Sequence, residues 1–320
     1  MTETDLSRVS AIIYGCAGPQ LSDEQRRFFA EVNPLGFILF DYNVETPDQV
    51  RALTAALRET VGRADAPIMI DQEGGRVARL GPPHWREAPP AARFGELDAR
   101  DPERGVEATR INARLLAAEL YELGINVDCA PVLDVPVEGA HDIIGDRAYS
   151  YEPARVARLG RAAAEGFLAG GVAPVVKHMP GHGRATEDSH IGLPVVETDR
   201  NTLEKTDFLP FRELADLPWA MTAHVLYRDV DADLAATVST KVQNEVIRGH
   251  IGFEGIVLSD DIRMEALAGT PVERTRAILA AGCDLVLECS GELDKMKECA
   301  EGAGPLSAVS ARRVARAAAM

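Results

Sequence analysis

Short apolar runs alternate with amphipathic stretches along the whole chain. The runs are Ala11-Ile-Ile-Tyr-Gly15, Gly36-Phe-Ile-Leu-Phe40, Pro67-Ile-Met-Ile-Asp71, Ile125–Asp134, Ala173–Val176, Trp219–His224, Gly255–Asp260 and Asp284–Glu288. Each has the length and residue types of a buried strand. Helical periodicity fills the spaces between them. One helix is expected from Ser22, as N-cap, to Val32. A second follows Thr46-Pro47 to Thr60, with Pro at its first position. A third covers 102–123, with Ile111, Leu115 and Ala118 on one face. A fourth carries Val156, Leu159, Ala163 and Phe167 at helical spacing and stops at Gly170-Gly171. Further helices are expected over 199–216, 239–250 and 271–281. Residues 81–101, rich in Pro and Gly, and 135–151 are expected to be irregular.

Strands that alternate with helices form parallel sheets with crossover connections. Eight such units in one chain predict an α/β fold, a (β/α)8 TIM barrel forming a single domain over residues 1–320. The alternative is a doubly wound open sheet. That fold usually carries a Gly-rich phosphate loop after its first strand, and Gly15-Cys-Ala-Gly18 is a poor one.

A barrel gathers its strand ends at one mouth, where catalysis occurs. Asp71, Asp134, Lys177, His178, His224 and Asp260 all fall at such ends. The densest stretch is Val175–His190, which runs from an apolar strand into a Gly/Pro-broken loop and holds three of the seven histidines. Asp188-Ser-His190 puts a carboxylate two residues from an imidazole. It is either an Asx-type turn or a proton-transfer dyad, in which the acid orients the ring and favours its charged form. Asp260 is either a turn residue beside Asp261 or an inward carboxylate suited to a nucleophile or a metal ligand. On a regular strand the two neighbours face opposite ways, so one of them is expected to point inward. The same alternation leaves one of Lys177 and His178 structural. A metal site on His178, His182, Asp188 and His190 is the other reading of the loop, although the first strand lacks the His-x-His of barrel metallohydrolases. Asp71 and Arg79 are candidates to grip hydroxyls, as is Arg147.

Composition narrows the partners. The formal net charge of −16 argues against nucleic acid or an anionic membrane. No apolar run reaches the roughly 18 residues of a membrane span, and the N-terminus lacks the pattern of a signal peptide. The five cysteines are odd in number and show no CxxC spacing, as expected of buried thiols in a reducing cytoplasm.

The motifs Asp71-Gln-Glu-Gly-Gly-Arg76, Ala130–Asp134, Gly145-Asp-Arg147, Lys177-His-Met-Pro-Gly-His-Gly183, Asp188-Ser-His190, Ala223-His-Val225 and Ser259-Asp-Asp261 occur in this order. Together they give a chain that resembles the single-domain β-N-acetylhexosaminidases of glycoside hydrolase family 3, enzymes of bacterial cell-wall recycling. The resemblance implies a TIM barrel and retaining hydrolysis of terminal β-linked N-acetylglucosamine, with no metal and no cofactor. It makes Asp260 the nucleophile and His190 the acid/base with Asp188 as its partner. It places Asp71, Arg79, Arg147, Lys177 and His178 at sugar-binding positions. The implied partner is a small carbohydrate, an N-acetylglucosamine-containing muropeptide, acted on by a cytoplasmic monomer. The dyad loop, with Pro180, Gly181 and Gly183, is expected to swing His190 over a filled pocket. Met179, Thr222 and Arg263 depart from the family's usual Phe, Pro and small polar residue, which bears on loop packing and the leaving-group side.

Overall fold

The computed structural model describes residues 6–185, 187 and 192–320. Its centre is a closed, all-parallel barrel of eight strands. In chain order these are β1 Ser10–Tyr14, β2 Pro34–Leu39, β3 Ile68–Ile70, β4 Val127–Asp128, β5 Ala173–Met179, β6 Trp219–Thr222, β7 Ile256–Asp261 and β8 Leu285–Glu288. Each pairs with its neighbours in sequence, and β1 closes the ring on β8 through Ile13 and Leu287.

The two-residue period of a strand splits the apolar side chains into two cores. Ala11, Ile13, Leu35, Ile38, Met69, Val175, Leu258, Leu285 and Leu287 pack inside the barrel. Ile12, Tyr14, Phe37, Ile70, Val176, Val257 and Val286 pack outward against the helices. Strands β2 and β3 approach so closely at Gly36 that a Cβ there would sit 2.3 Å from the Pro67 carbonyl oxygen.

The helix starts are those the sequence predicts. Ser22 caps Asp23–Val32 in a capping box with Gln25, and Thr46 caps Pro47–Val61. Three expectations change. A helix at Ala91–Arg100 occupies part of the segment expected to be irregular. The single helix expected over 199–216 is two short ones, Arg200–Lys205 and Leu209–Glu213. The long fourth strand shortens to Val127–Asp128 plus a bridge between Val132 and Lys177, because Pro131 has no N–H to continue the ladder. The stretch Val242–His250 is wound as a π-helix.

Candidate active site

Strand β3 delivers Asp71 to the mouth, and the chain then reverses in a hairpin of Gln72–Gly74 with Val77–Ala78. Gly74 and Gly75 make the reversal at φ +97° and +58°, a region that favours glycine. Buried Gln72 stitches the returning strand: its Oε1 accepts the N–H groups of Arg79 (2.8 Å) and Leu80 (3.0 Å). Arg79 is thereby brought back to donate to Asp71 Oδ2 at 3.1 Å.

The same hairpin anchors the neighbouring loop. Arg76 donates to the carbonyls of Asp142, Ile143 and Ile144 at 2.6, 2.9 and 3.1 Å. Glu73 takes Arg147 in a two-pronged pair, at 2.9 Å from Nε and 2.8 Å from Nη2. Lys177 rises from β5 between the two acids, with Nζ 2.7 Å from Asp71 Oδ1 and 2.7 Å from Glu73 Oε1. Burial alone would lower the lysine's pKa, but the two carboxylates more than reverse this. In return, the cations hold both Asp71 and Glu73 below the usual carboxylate range against the pull of burial. Lys177, Arg147 and the two carboxylates thus stay charged in a largely dry wall.

His178 lies beside this network. Its Nδ1 meets Asp134 Oδ2 at 2.7 Å, and Asp134 also accepts the backbone N–H groups of His178 (3.2 Å) and His182 (2.6 Å). The buried carboxylate fixes the ring and leaves its other nitrogen for the cavity. Burial and the neighbouring His178 lower the pKa of His182 to about 4.

Across the mouth, Asp260 accepts the Asp261 N–H at 2.8 Å. Burial would raise its pKa, yet His178, His224, that N–H and Lys177 together hold it below the usual carboxylate range. Asp261 behaves oppositely: burial and the adjacent Asp260 push it up to about 6. His224 is fully buried behind the pair. Its Nε2 meets the Asp261 carbonyl oxygen at 3.0 Å and its Nδ1 meets the Thr237 hydroxyl at 2.7 Å. It supports the end of β7 from behind the cavity.

Asp71, Arg79, Arg147, Lys177, His178 and Asp260 line one cavity of about 250 Å³. That volume is on the scale of one small ligand rather than a polymer. Two expectations about facing are corrected here. Lys177 and His178 both reach the cavity, and so do Asp260 and Asp261. The ladders show why. Between β5 and β6, Val176 pairs with Ala220 and Met179 with Thr222, three steps against two. Between β7 and β8, Leu258 pairs with Leu285 and Asp261 with Leu287, again three against two. An extra residue of this kind re-aims side chains that a regular strand would send to opposite faces. Asp188 and His190, and with them the expected loop movement, lie outside the described residues. Among the described residues no group of three or more His, Cys, Asp or Glu is arranged to hold a metal ion.

Glu73, Arg76 and Thr237 were not singled out from the sequence. A signal existed for Glu73: it stands two residues from Asp71, the spacing that puts both on one face of an extended segment.

Residues 4–318 match the family described as the glycosyl hydrolase family 3 N terminal domain. The chain belongs to glycosyl hydrolase family 3. A beta-hexosaminidase of Alkalilimnicola ehrlichii is 41% identical over 283 residues, 87% of this chain and 80% of that one. NagZ from Neisseria gonorrhoeae, solved with N-trifluoroacetyl-D-glucosamine, superposes with a TM-score of 0.88 at 32% identity, over 96% of this chain and 89% of that one. A family 3 beta-N-acetylglucosaminidase from Paenibacillus gives 0.87 at 32% identity, over 100% of this chain but 61% of that longer one. This family member is accordingly a glycoside hydrolase with a TIM-barrel fold. No helix among its described residues is long and apolar enough to cross a membrane.

Proposed function

We propose that the protein is a retaining exo-β-N-acetylglucosaminidase acting on peptidoglycan fragments. One observation carries the reading. An ionised Asp260 faces the same small cavity as a charged wall of Asp71, Arg79, Arg147 and Lys177. Paired buried charges are rigid hydrogen-bonding groups, suited to the hydroxyls of one terminal sugar. Asp260 attacks the anomeric carbon while His190, protonated and partnered by Asp188, gives its proton to the leaving oxygen. The C1–oxygen bond breaks and a C1–Asp260 ester forms. Neutral His190 then takes a proton from water as the water attacks C1, which frees Asp260 and retains configuration. His178, held by Asp134, steadies the sugar beside the nucleophile. Asp260 is preferred over Asp261 because the Asp261 carboxylate is tied down by the backbone N–H groups of Arg263 (3.1 Å) and Cys289 (3.4 Å), whereas Asp260 accepts the Asp261 N–H and faces the cationic wall.

The relatives named for hexosaminidase activity and the analogue bound to the gonococcal protein support an aminosugar in the cavity. The reducing cytoplasm is the proposed compartment, since all five cysteines are free and four are buried. The test is incubation with defined N-acetylglucosaminyl muropeptides and identification of the products. Release of β-N-acetylglucosamine as first-formed anomer supports the reading. Release of the α anomer, or of a sugar phosphate only when phosphate is present, contradicts it.

A further inference from the structure

The mouth of the cavity is chemically divided. The charged half comes from the ends of β3 and β5 and the loop carrying Arg147. The other half is mainly apolar, with Phe40 after β2, Met264 after β7, and Leu287 and Cys289 of the β8 end, and Asp261 set among them. If hydroxyls are gripped on the charged side, the group leaving across Asp260 departs over the apolar side. This inference therefore rests on the proposed exo-β-N-acetylglucosaminidase reading. We propose that Tyr42, backed by Phe40, forms a stacking ledge for the pyranose ring of the leaving group.

The two rings are stacked, with centroids 5.6 Å apart and planes inclined by 12°. Phe40 also carries the Arg79 guanidinium over its ring at 5.4 Å. Arg79 in turn holds Asp71. The ledge is thus joined by contacts to the sugar-gripping wall. Tyr42 is 45% exposed, yet it is tied down. Its hydroxyl donates to the Cys289 carbonyl oxygen at 3.1 Å. Its turn, Asp41–Asn43, is anchored by fully buried Asn43, whose Nδ2 donates to the carbonyls of Cys16 and Gly18, both at 2.9 Å. Asn43 Oδ1 closes the turn on the Phe40 N–H at 2.8 Å. An aromatic ring held still and left open to water beside a sugar-sized cavity is a preorganised surface. The C–H face of a pyranose is apolar enough to cover it, while the sugar's hydroxyls stay in solvent at the edge.

Two substrates separate the ledge from the rest of the site. A β-1,4-linked N-acetylglucosamine disaccharide has a pyranose leaving group. β-N-acetylglucosaminyl fluoride has a leaving group with no ring. Tyr42→Ala should lower the ratio of kcat/KM for disaccharide over fluoride by about ten-fold, the size of one ring contact. Tyr42→Phe keeps the ring and loses only the Cys289 bond, so it should hold the ratio within about two-fold of the wild type. An unchanged ratio in Tyr42→Ala overturns the ledge. So does an equal loss on both substrates, which makes the ring a structural prop, and so does wild-type turnover of the fluoride alone. Wild-type turnover of neither substrate removes the N-acetylglucosaminidase reading, and the ledge falls with it.

Discussion

Glu73→Gln strikes the point on which the charged wall converges. Glu73 pairs with Lys177 at 2.7 Å and with Arg147 at 2.8 and 2.9 Å. The acid, lysine and arginine side chains are 8%, 2% and 11% exposed. Asp71 and Glu73 now face Lys177, Arg79 and Arg147, two negative charges against three positive. Glutamine leaves one against three. Removing one partner of a buried ion pair costs about 3–5 kcal/mol. Glutamine keeps the shape and one acceptor, so the lower end, about 3 kcal/mol, is the expected loss. With an unfolding entropy of about 2.1 cal/mol/K per residue over 320 residues, that loss lowers Tm by about 4–5 °C.

The effect also has a sign in pH. Burial acts to raise the pKa of Glu73, but Lys177 and Arg147 outweigh it, so the folded value lies below the ordinary 4.5. An acid with a lowered folded pKa stabilises fully above its unfolded pKa and stops doing so as pH falls through the folded one. The difference in Tm between wild type and Glu73→Gln should therefore be full at pH 7 and shrink below about pH 4.5. Arg147 and Lys177 also lose their positions, so kcat/KM should fall by about 10²-fold. Thermal unfolding by circular dichroism at both pH values, with steady-state kinetics at pH 7, reads all three effects. A Tm within about 1 °C of wild type at pH 7, together with unchanged kinetics, would refute the reasoning.

Asp260→Asn should reduce turnover by at least about 10⁴-fold with an unaltered circular dichroism spectrum, and residual activity near the wild-type level would assign the attack elsewhere. His190→Ala should slow poor leaving groups far more than activated aryl glycosides, because good leaving groups need little proton assistance; a uniform loss tells against the acid role. Burial pushes Asp128 up to about 8, and its Oδ2 has no hydrogen-bond partner among the described residues. Between its unfolded and folded pKa values the native state holds a proton that the unfolded chain has released, so wild-type stability declines as pH rises through that window. Asp128→Asn removes the decline, and its Tm advantage over wild type should grow from about pH 5 to about pH 8; a constant difference across that range contradicts this.

The barrel was legible because most strands are unbroken apolar runs that end in a polar residue. The fourth was legible only as a location: Pro131 ends the ladder inside a run whose composition reads as strand throughout. The helix Ala91–Arg100 was hidden by Pro89, Pro90 and Gly95. Gly95 is there because a Cβ would sit 1.6 Å from the Tyr149 carbonyl oxygen, a tertiary reason that local propensity cannot carry. The site shows the same division. Asp71, Lys177 and Asp260 could be read from strand ends. Which neighbours share a face could not, since the extra residues in β5 and β7 exist only in the pairing. Glu73 was obscured by the glycines that follow it, which read as a turn rather than as the return of an Arg79-bearing strand.

The proposed mechanism turns on Asp260 forming the bond to the sugar. The direct measurement is to trap the intermediate with a 5-fluoro-N-acetylglucosaminyl fluoride and map the labelled peptide by mass spectrometry. One sugar should appear on Asp260, and none when Asp260→Asn is treated in the same way. A label on Asp261, or full turnover of substrate with no covalent species, would contradict it.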